Sequence, residues 1–175
     1  MSNTCNGGSR NLEKQITCPA WFCFTFDNPL RKLIQDPYKI LRPYIKPGMV
    51  ILDVGSGMGY FTIPLALLAG ENGKVIAADL QKAMLAGVKR RAVKAGVESR
   101  VVLHQTMPDK IGVTEPTDFC LAFWMVHEVP DRQQLLKEIF SILKPGGLFF
   151  FAEPRMEVTE TSFKAGLDIL TGMGL

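Results

Sequence analysis

The chain has 175 residues, 47% hydrophobic and 21% charged, which describes one globular domain of ordinary size and excludes a disordered chain. Its net charge of +3 is too small to argue for nucleic acid or an anionic membrane surface as a partner. No apolar run reaches membrane-spanning length and the first seventeen residues hold no signal core, so a cytoplasmic protein with no membrane span is expected.

Residues 1–18 read as a flexible polar lead-in and 19–47 as an aromatic and helical cap, with the main domain over 48–175. Trp21, Phe22, Phe24 and Phe26 must cover something apolar, either the sheet edge or a ligand cleft; plain packing is favoured over a substrate lid. Asp36-Pro37 places an N-cap before a proline at the first helical position, so a short helix starts there, and Pro43 ends or kinks it. Lys46-Pro47-Gly48 turns the chain into the first strand.

The stretch Val50 to Ala66 organises the rest. A β-branched apolar run containing Asp53 is followed by Gly55, Gly57 and Gly59, and an apolar helical pattern then runs from about Tyr60 to Ala69. Strand, glycine turn and helix in that order form a small-molecule site, because the backbone can approach a ligand closely and the helix start offers free amides. The sixth position counted from Gly55 is Tyr60, which departs from the GxGxxG fingerprint that seats a dinucleotide pyrophosphate.

Lys74 to Ala78 reads as the second strand, closed by Asp79 twenty positions after Gly59. A carboxylate there can accept two hydrogen bonds from a ribose diol; the alternative is a helix N-cap. Gln81 to Ala95 is an amphipathic helix capped by Gly96, and its basic residues, with no aromatics among them, form a solvated face. Arg100–His104 is the third strand, before Gln105 and Thr106, and Thr117–Trp124 is the fourth, leading into Met125-Val126-His127-Glu128. Asp131 caps the next helix, Lys144-Pro145-Gly146-Gly147 terminates it, Leu148–Ala152 is the fifth strand, and a last helix spans about Thr161 to Thr171. Five strands alternating with helices predict an α/β fold with a doubly wound, mostly parallel sheet.

Of the four cysteines, Cys120 lies in an apolar strand and reads as a small buried hydrophobe. Cys18 and Cys23 have no partner pair at zinc spacing, so free thiols and no metal are expected; a soft-metal or metalloid site using Cys18, Cys23 and Cys120 is the alternative.

The Asp53-x-Gly55-x-Gly57-x-Gly59 pattern resembles motif I of the class I methyltransferases that use S-adenosylmethionine (AdoMet). Phe123 to Asp131 is similar to the segment after strand four in the small-molecule members related to the ubiquinone and menaquinone methylases. Ile142-Leu143-Lys144-Pro145-Gly146-Gly147 with Glu153-Pro154 looks like their LKPGG motif. With Asp79, four motifs in order cover residues 48–154.

The resemblance implies that Gly55, Ser56 and Gly57 contact the methionine end of AdoMet, with Asp53 and Gly59 shaping the loop. It implies that Asp79 binds the ribose, Leu80 packs on the adenine, Gln105 and Thr106 border it, and Phe123 sits beside the cofactor. Methyl transfer to a small-molecule acceptor, yielding S-adenosylhomocysteine, is the implied activity; a non-catalytic AdoMet-binding module is the alternative. His127, beside Glu128, is the candidate general base where the acceptor must lose a proton, against a purely structural role. Two strands that the family usually carries after the last helix are absent from the sequence. Strand five would then be an apolar edge: either the sequence is a truncated form, or another subunit covers the edge, and a homo-oligomer is expected.

Overall fold

The computed structural model describes residues 35–172. The aromatic cap over Trp21–Phe26 and the cysteines Cys5, Cys18 and Cys23 lie outside the described residues.

After the short helix α1 (Pro37–Leu41), capped by the Asp36 side chain, the chain alternates strands and helices. These are β1 (Val50–Val54), α2 (Thr62–Ala69), β2 (Lys74–Asp79), α3 (Lys82–Ala95), β3 (Val101–Gln105), β4 (Thr117–Phe123), α4 (Arg132–Ile142), β5 (Leu143–Ala152) and α5 (Glu160–Gly172). The strands form one five-stranded sheet in the order β3-β2-β1-β4-β5, with every pair parallel. The doubly wound α/β sheet predicted from the alternation of elements is therefore the fold observed.

Alternation along each central strand divides the core into two faces. Ile51, Val75, Phe119 and Leu121 pack on one face, beneath Leu41, Phe61, Leu65, Ala66, Ala69 and Ala92 from α1 to α3. Leu52, Val54, Ile76, Ala78, Cys120 and Ala122 pack on the other, against Leu135, Ile139 and Ile142 of α4. Because β1 and β4 are buried on both faces, their sequences are nearly continuous apolar runs. Cys120 is a buried free thiol, as its strand context predicts.

The fifth strand starts earlier than predicted. Leu143 already pairs with Thr117, and the register then jumps to Phe119 with Leu148, so Lys144-Pro145-Gly146-Gly147 bulges out between two paired segments. Gly146 takes φ +77°, a left-handed conformation that suits glycine. Lys144 donates to both oxygens of Asp118 at 2.8 and 2.9 Å, and Asp118 also accepts the Val50 amide at 2.8 Å. The bulge is thereby tied to the starts of β1 and β4, at the opposite end of the sheet from the glycine turn.

Leu121 is fully buried at the centre of the sheet. Replacing it with alanine is expected to remove about 2–5 kcal/mol of stability, seen as a lower urea midpoint at unchanged m-value.

Candidate functional site

The sheet order sets β1 between β2 and β4, so the chain leaves β1 and β4 in opposite directions. In open α/β sheets the crevice at that switch point, beyond the carboxyl ends of the strands, is where ligands bind. Two turns border it here, the glycine loop after β1 and the turn after β4.

The glycine loop is folded back on β2. The amides of Gly55 and Ser56 both donate to the Ala78 carbonyl, at 2.9 and 3.1 Å. Gly55 sits at φ +68°, and a Cβ there would lie 2.8 Å from Cγ of Met125, so only glycine lets the two turns close on each other. A Cβ on Gly57, at φ +53°, would meet nothing within 4 Å, which leaves open space over the middle of the loop. Gly59 backs onto Val88 of α3 instead. The Ser56 hydroxyl is buried with no hydrogen-bond partner among the described residues, an acceptor and donor available to a ligand on the loop.

Asp79 closes the site on the β2 side. One carboxylate oxygen accepts the Gly57 amide at 2.9 Å and the other accepts the Gln81 amide at 2.8 Å. Gln81, not Asp79, occupies the N-cap of α3. Two carboxylate oxygens offer about four acceptor positions, so these two amides leave room for a diol. Burial pushes the Asp79 carboxyl above its usual range, opposed by the Gln81 and Gly57 amides. Leu80, Gln105 and Thr106 gather at the same strand ends: the Gln105 side-chain Nε2 donates to the Leu80 carbonyl at 3.2 Å and the Thr106 backbone amide to the Asp79 carbonyl at 3.0 Å.

Asp53 takes a different place. Its side chain is buried below the loop and accepts the Thr62 hydroxyl at 2.6 Å at the start of α2. Desolvation pushes its carboxyl up to about 7, against the pull of the Thr62 hydroxyl, and the charge of Asp79 pushes in the same direction as burial. The Asp79 carboxylate at the lip of the loop disfavours the negative charge of a pyrophosphate and suits a ligand that brings positive charge there. AdoMet carries a sulfonium and an ammonium, so the acceptor carboxylate and the buried Ser56 hydroxyl fit it.

On the other side of the crevice, Phe123 lies 4.4 Å from Phe61 and 5.5 Å from Trp124 between ring centroids, and Tyr60 continues the row 5.3 Å beyond Phe61. Trp124 takes φ +59°, the sole non-glycine residue in the left-handed region among the described residues. Such a conformation costs on the order of 1–3 kcal/mol and persists where surrounding structure fixes it. The Trp124 amide is held by the Ala152 carbonyl at 2.8 Å.

His127 follows in a short 3-10 turn, Val126–Glu128. Its ring does not pair with Glu128, the neighbour singled out in the sequence. Nδ1 lies 2.5 Å from Oε2 of Glu153 and Nε2 lies 3.1 Å from Oε2 of Glu157, while the His127 amide donates to Oε1 of Glu153 at 3.0 Å. Glu128 is exposed as a residue, yet desolvation raises its carboxyl; His127 opposes the shift, and Glu157, Asp79 and Glu153 add to it. Its carboxyl therefore feels both the Asp79 side and the His127 side of the crevice. Sequence reasoning passed over Glu153 and Glu157 as partners. The available signal was position: Glu153 follows β5 as Asp79 ends β2, an acidic residue at a strand's carboxyl end.

The metalloid reading loses one member, because Cys120 is fully buried in the sheet and burial, then the nearby Asp53 charge, raises its thiol well above the ordinary value. Among the described residues no group of three or more His, Cys, Asp or Glu side chains could hold a metal ion, and no helix is long and apolar enough to cross a membrane.

Comparison with known proteins decides the family. The profile of a methyltransferase domain family matches residues 45–169, most of the chain. The chain belongs to the AdoMet-dependent methyltransferase family. It is 29% identical over 122 residues to a ubiquinone/menaquinone biosynthesis C-methyltransferase of Cronobacter sakazakii, covering 69% of this chain and 49% of that protein. The Salmonella arizonae enzyme of the same name is 28% identical over 136 residues, covering 75% and 54%. The chain thus spans about half the length of the curated relatives it matches. A crystal structure of a SAM-dependent methyltransferase from Aquifex aeolicus superposes with a TM-score of 0.77 at 28% identity, covering 90% of this chain and 89% of that one. A Methanococcus maripaludis structure shares the fold, with a TM-score of 0.73 at 20% identity over 96% and 89% of the two chains.

The position of Asp53 gives stability a pH dependence. A carboxyl whose folded value is about 7, against 3.8 in the unfolded chain, stabilises the fold fully below about pH 4, and that contribution is lost as pH rises towards 7. Thermal melts of the wild-type protein are expected to show this loss, at about 1.4 kcal/mol per pH unit in that window. Asp53→Asn should flatten the slope, so that the variant gains on the wild type between pH 5 and pH 8.

Proposed function

We propose that the protein transfers a methyl group from AdoMet to a small-molecule acceptor by in-line displacement and releases S-adenosylhomocysteine. The observation that carries this is the carboxylate of Asp79, tied to the Gly57 amide at the lip of a glycine loop that itself lies over a second buried carboxylate, Asp53. That charge arrangement suits a cationic nucleoside and opposes a dinucleotide phosphate. Family membership supports the same reading.

In this reading Gly55, Ser56 and Gly57 hold the methionine end through main-chain groups and the buried Ser56 hydroxyl. Asp53 and Gly59 support the loop from below and from the α3 side. Asp79 takes the ribose hydroxyls, while Leu80, Gln105 and Thr106 surround the adenine and Phe123 flanks the cofactor. The chemistry supplied by AdoMet is a methyl group on a sulfonium leaving group. The protein's own work is then alignment of the acceptor and exclusion of water, which the aromatic row from Tyr60 to Trp124 serves. His127 receives the acceptor's proton where one must leave.

Calorimetry with AdoMet, S-adenosylhomocysteine and NAD side by side tests the binding half. AdoMet and its product are expected to bind and NAD to fail, with Asp79→Ala weakening AdoMet by roughly 10- to 100-fold, as expected for lost charge-assisted hydrogen bonds. NAD binding in preference to AdoMet would overturn the reading. Release of S-adenosylhomocysteine against a panel of small amphipathic acceptors separates an enzyme from a binding module. His127→Gln is expected to lower kcat at saturating acceptor, and unchanged turnover would remove the base role.

A homo-oligomer is proposed from the sheet edge. β5 is a terminal strand of the described sheet, and Leu148 on it is 46% exposed, an apolar edge open to pairing with a second copy. Light scattering is expected to give twice the chain mass or more; a monomer at micromolar concentration contradicts this.

A further inference from the structure

We infer that Glu153 is a positioning residue for His127: its carboxylate fixes which ring nitrogen carries the proton, so that Nε2 is the atom turned to proton transfer. This rests on the reading of His127 as the acceptor's base, and it adds a residue and an atom to that reading.

Glu153 is built for a fixed role. Its side chain is 3% exposed, just beyond the end of β5. Both of its oxygens are spent on one residue: Oε1 accepts the backbone amide of His127 at 3.0 Å, and Oε2 faces Nδ1 at 2.5 Å. A carboxylate in that double grip accepts, so the ring must donate from Nδ1. The His127 backbone and ring are locked together by a single side chain from the neighbouring strand.

The surroundings show why a lock is placed there. The chain reaches His127 through Trp124 in a left-handed conformation, and the Trp124 amide is bound to Ala152, the residue before Glu153. The turn after β4 is thus stapled to the end of β5 at two successive points, Ala152 for the backbone and Glu153 for the functional ring. Arg132 completes the frame from α4, donating to the Ser162 hydroxyl at 2.8 Å and to the His127 carbonyl at 3.4 Å. Glu128 stands beside the ring without pairing to it.

The other nitrogen has a different kind of partner. Glu157, on the turn before α5, is 62% exposed and faces Nε2 at 3.1 Å. An exposed side chain can swing into solvent at little cost, whereas buried Glu153 cannot. With Glu157 turned away, the Nδ1–H form presents a free Nε2 lone pair. On methyl transfer the acceptor's proton then moves to Nε2, giving an imidazolium that Glu157 can meet again, and the methyl bond forms as the bond from sulfur breaks.

The protein contains two histidines, which makes the test direct. His104 directs Nε2 at the Ile111 carbonyl, 2.7 Å away, so its neutral form carries the proton on Nε2 and serves as an internal reference for the opposite tautomer. Long-range proton–nitrogen spectra of histidine-labelled protein, saturated with S-adenosylhomocysteine, are expected to show His127 as Nδ1–H and His104 as Nε2–H. In Glu153→Gln the new amide keeps an oxygen for the His127 backbone and offers its NH2 to Nδ1, so His127 is expected to switch to the Nε2–H form while His104 is unchanged. Turnover is expected to fall roughly a hundredfold in kcat with the KM for AdoMet held within about twofold, the signature of a wrong tautomer and not of a loosened site.

An Nε2–H signal for His127 in the wild type, or an unswitched Nδ1–H signal in a folded Glu153→Gln protein, overturns the positioning role whatever the activity. Should that variant not fold, the wild-type spectrum alone decides. A switched tautomer with full turnover instead strikes at the base role of His127, so the two readings fail separately.

Discussion

The carboxylate of Asp79, gripped by the amides of Gly57 and Gln81, is the contact on which the site depends. It joins the loop after β1 to the start of α3, two segments far apart along their local backbone paths. It can form only because β1 and β2 are adjacent, parallel and in register, with Val54 opposite Ala78 so that both strands end at the same height. Burial disfavours the charged carboxylate, and the two amides offset that penalty. The glycine loop has its shape partly because one of its own amides supplies that compensation.

From this contact the crevice divides into two halves with different physics. On the β2 side the Asp79 carboxylate holds the Gly57 amide, the Ser56 hydroxyl lies buried beneath the loop, and the space above Gly57 is open. On the β5 side the turn after β4 is strained at Trp124 and fixed by bonds to Ala152 and Glu153, which hold Trp124 and the His127 imidazole in place. Met125 packs against Gly55 where the halves meet, so the two turns share a contact that a larger residue at Gly55 would break.

The LKPGG segment has no part in that crevice. It bulges from the opposite end of β5, where Lys144 and Asp118 tie it to β1 and β4. Its place in the family resemblance therefore marks the architecture of the sheet, and the crevice opens at the far ends of the same strands.

Much of this was legible in one dimension. The continuous apolar runs of β1, β2 and β4, the Asp36 and Asp131 caps and the left-handed Gly96 stop are local features of the chain, and the sequence alone determined them. The place of the glycine loop was readable for the same reason, since glycines between a buried strand and an apolar helix mark a tight turn. Partner choice was not readable. His127 is adjacent to Glu128 in the chain and yet pairs with Glu153 and Glu157, because β4 and β5 lie side by side and deliver their ends to one spot. Asp53 and Asp79 look alike as strand-end acids, but alternation turns the first beneath α2 and leaves the second at the lip of the crevice. Which groups share a low-dielectric pocket, and so which pKa values move, depends on strand order and register. Those are set by the packing of both sheet faces at once, and only the tertiary structure decided them.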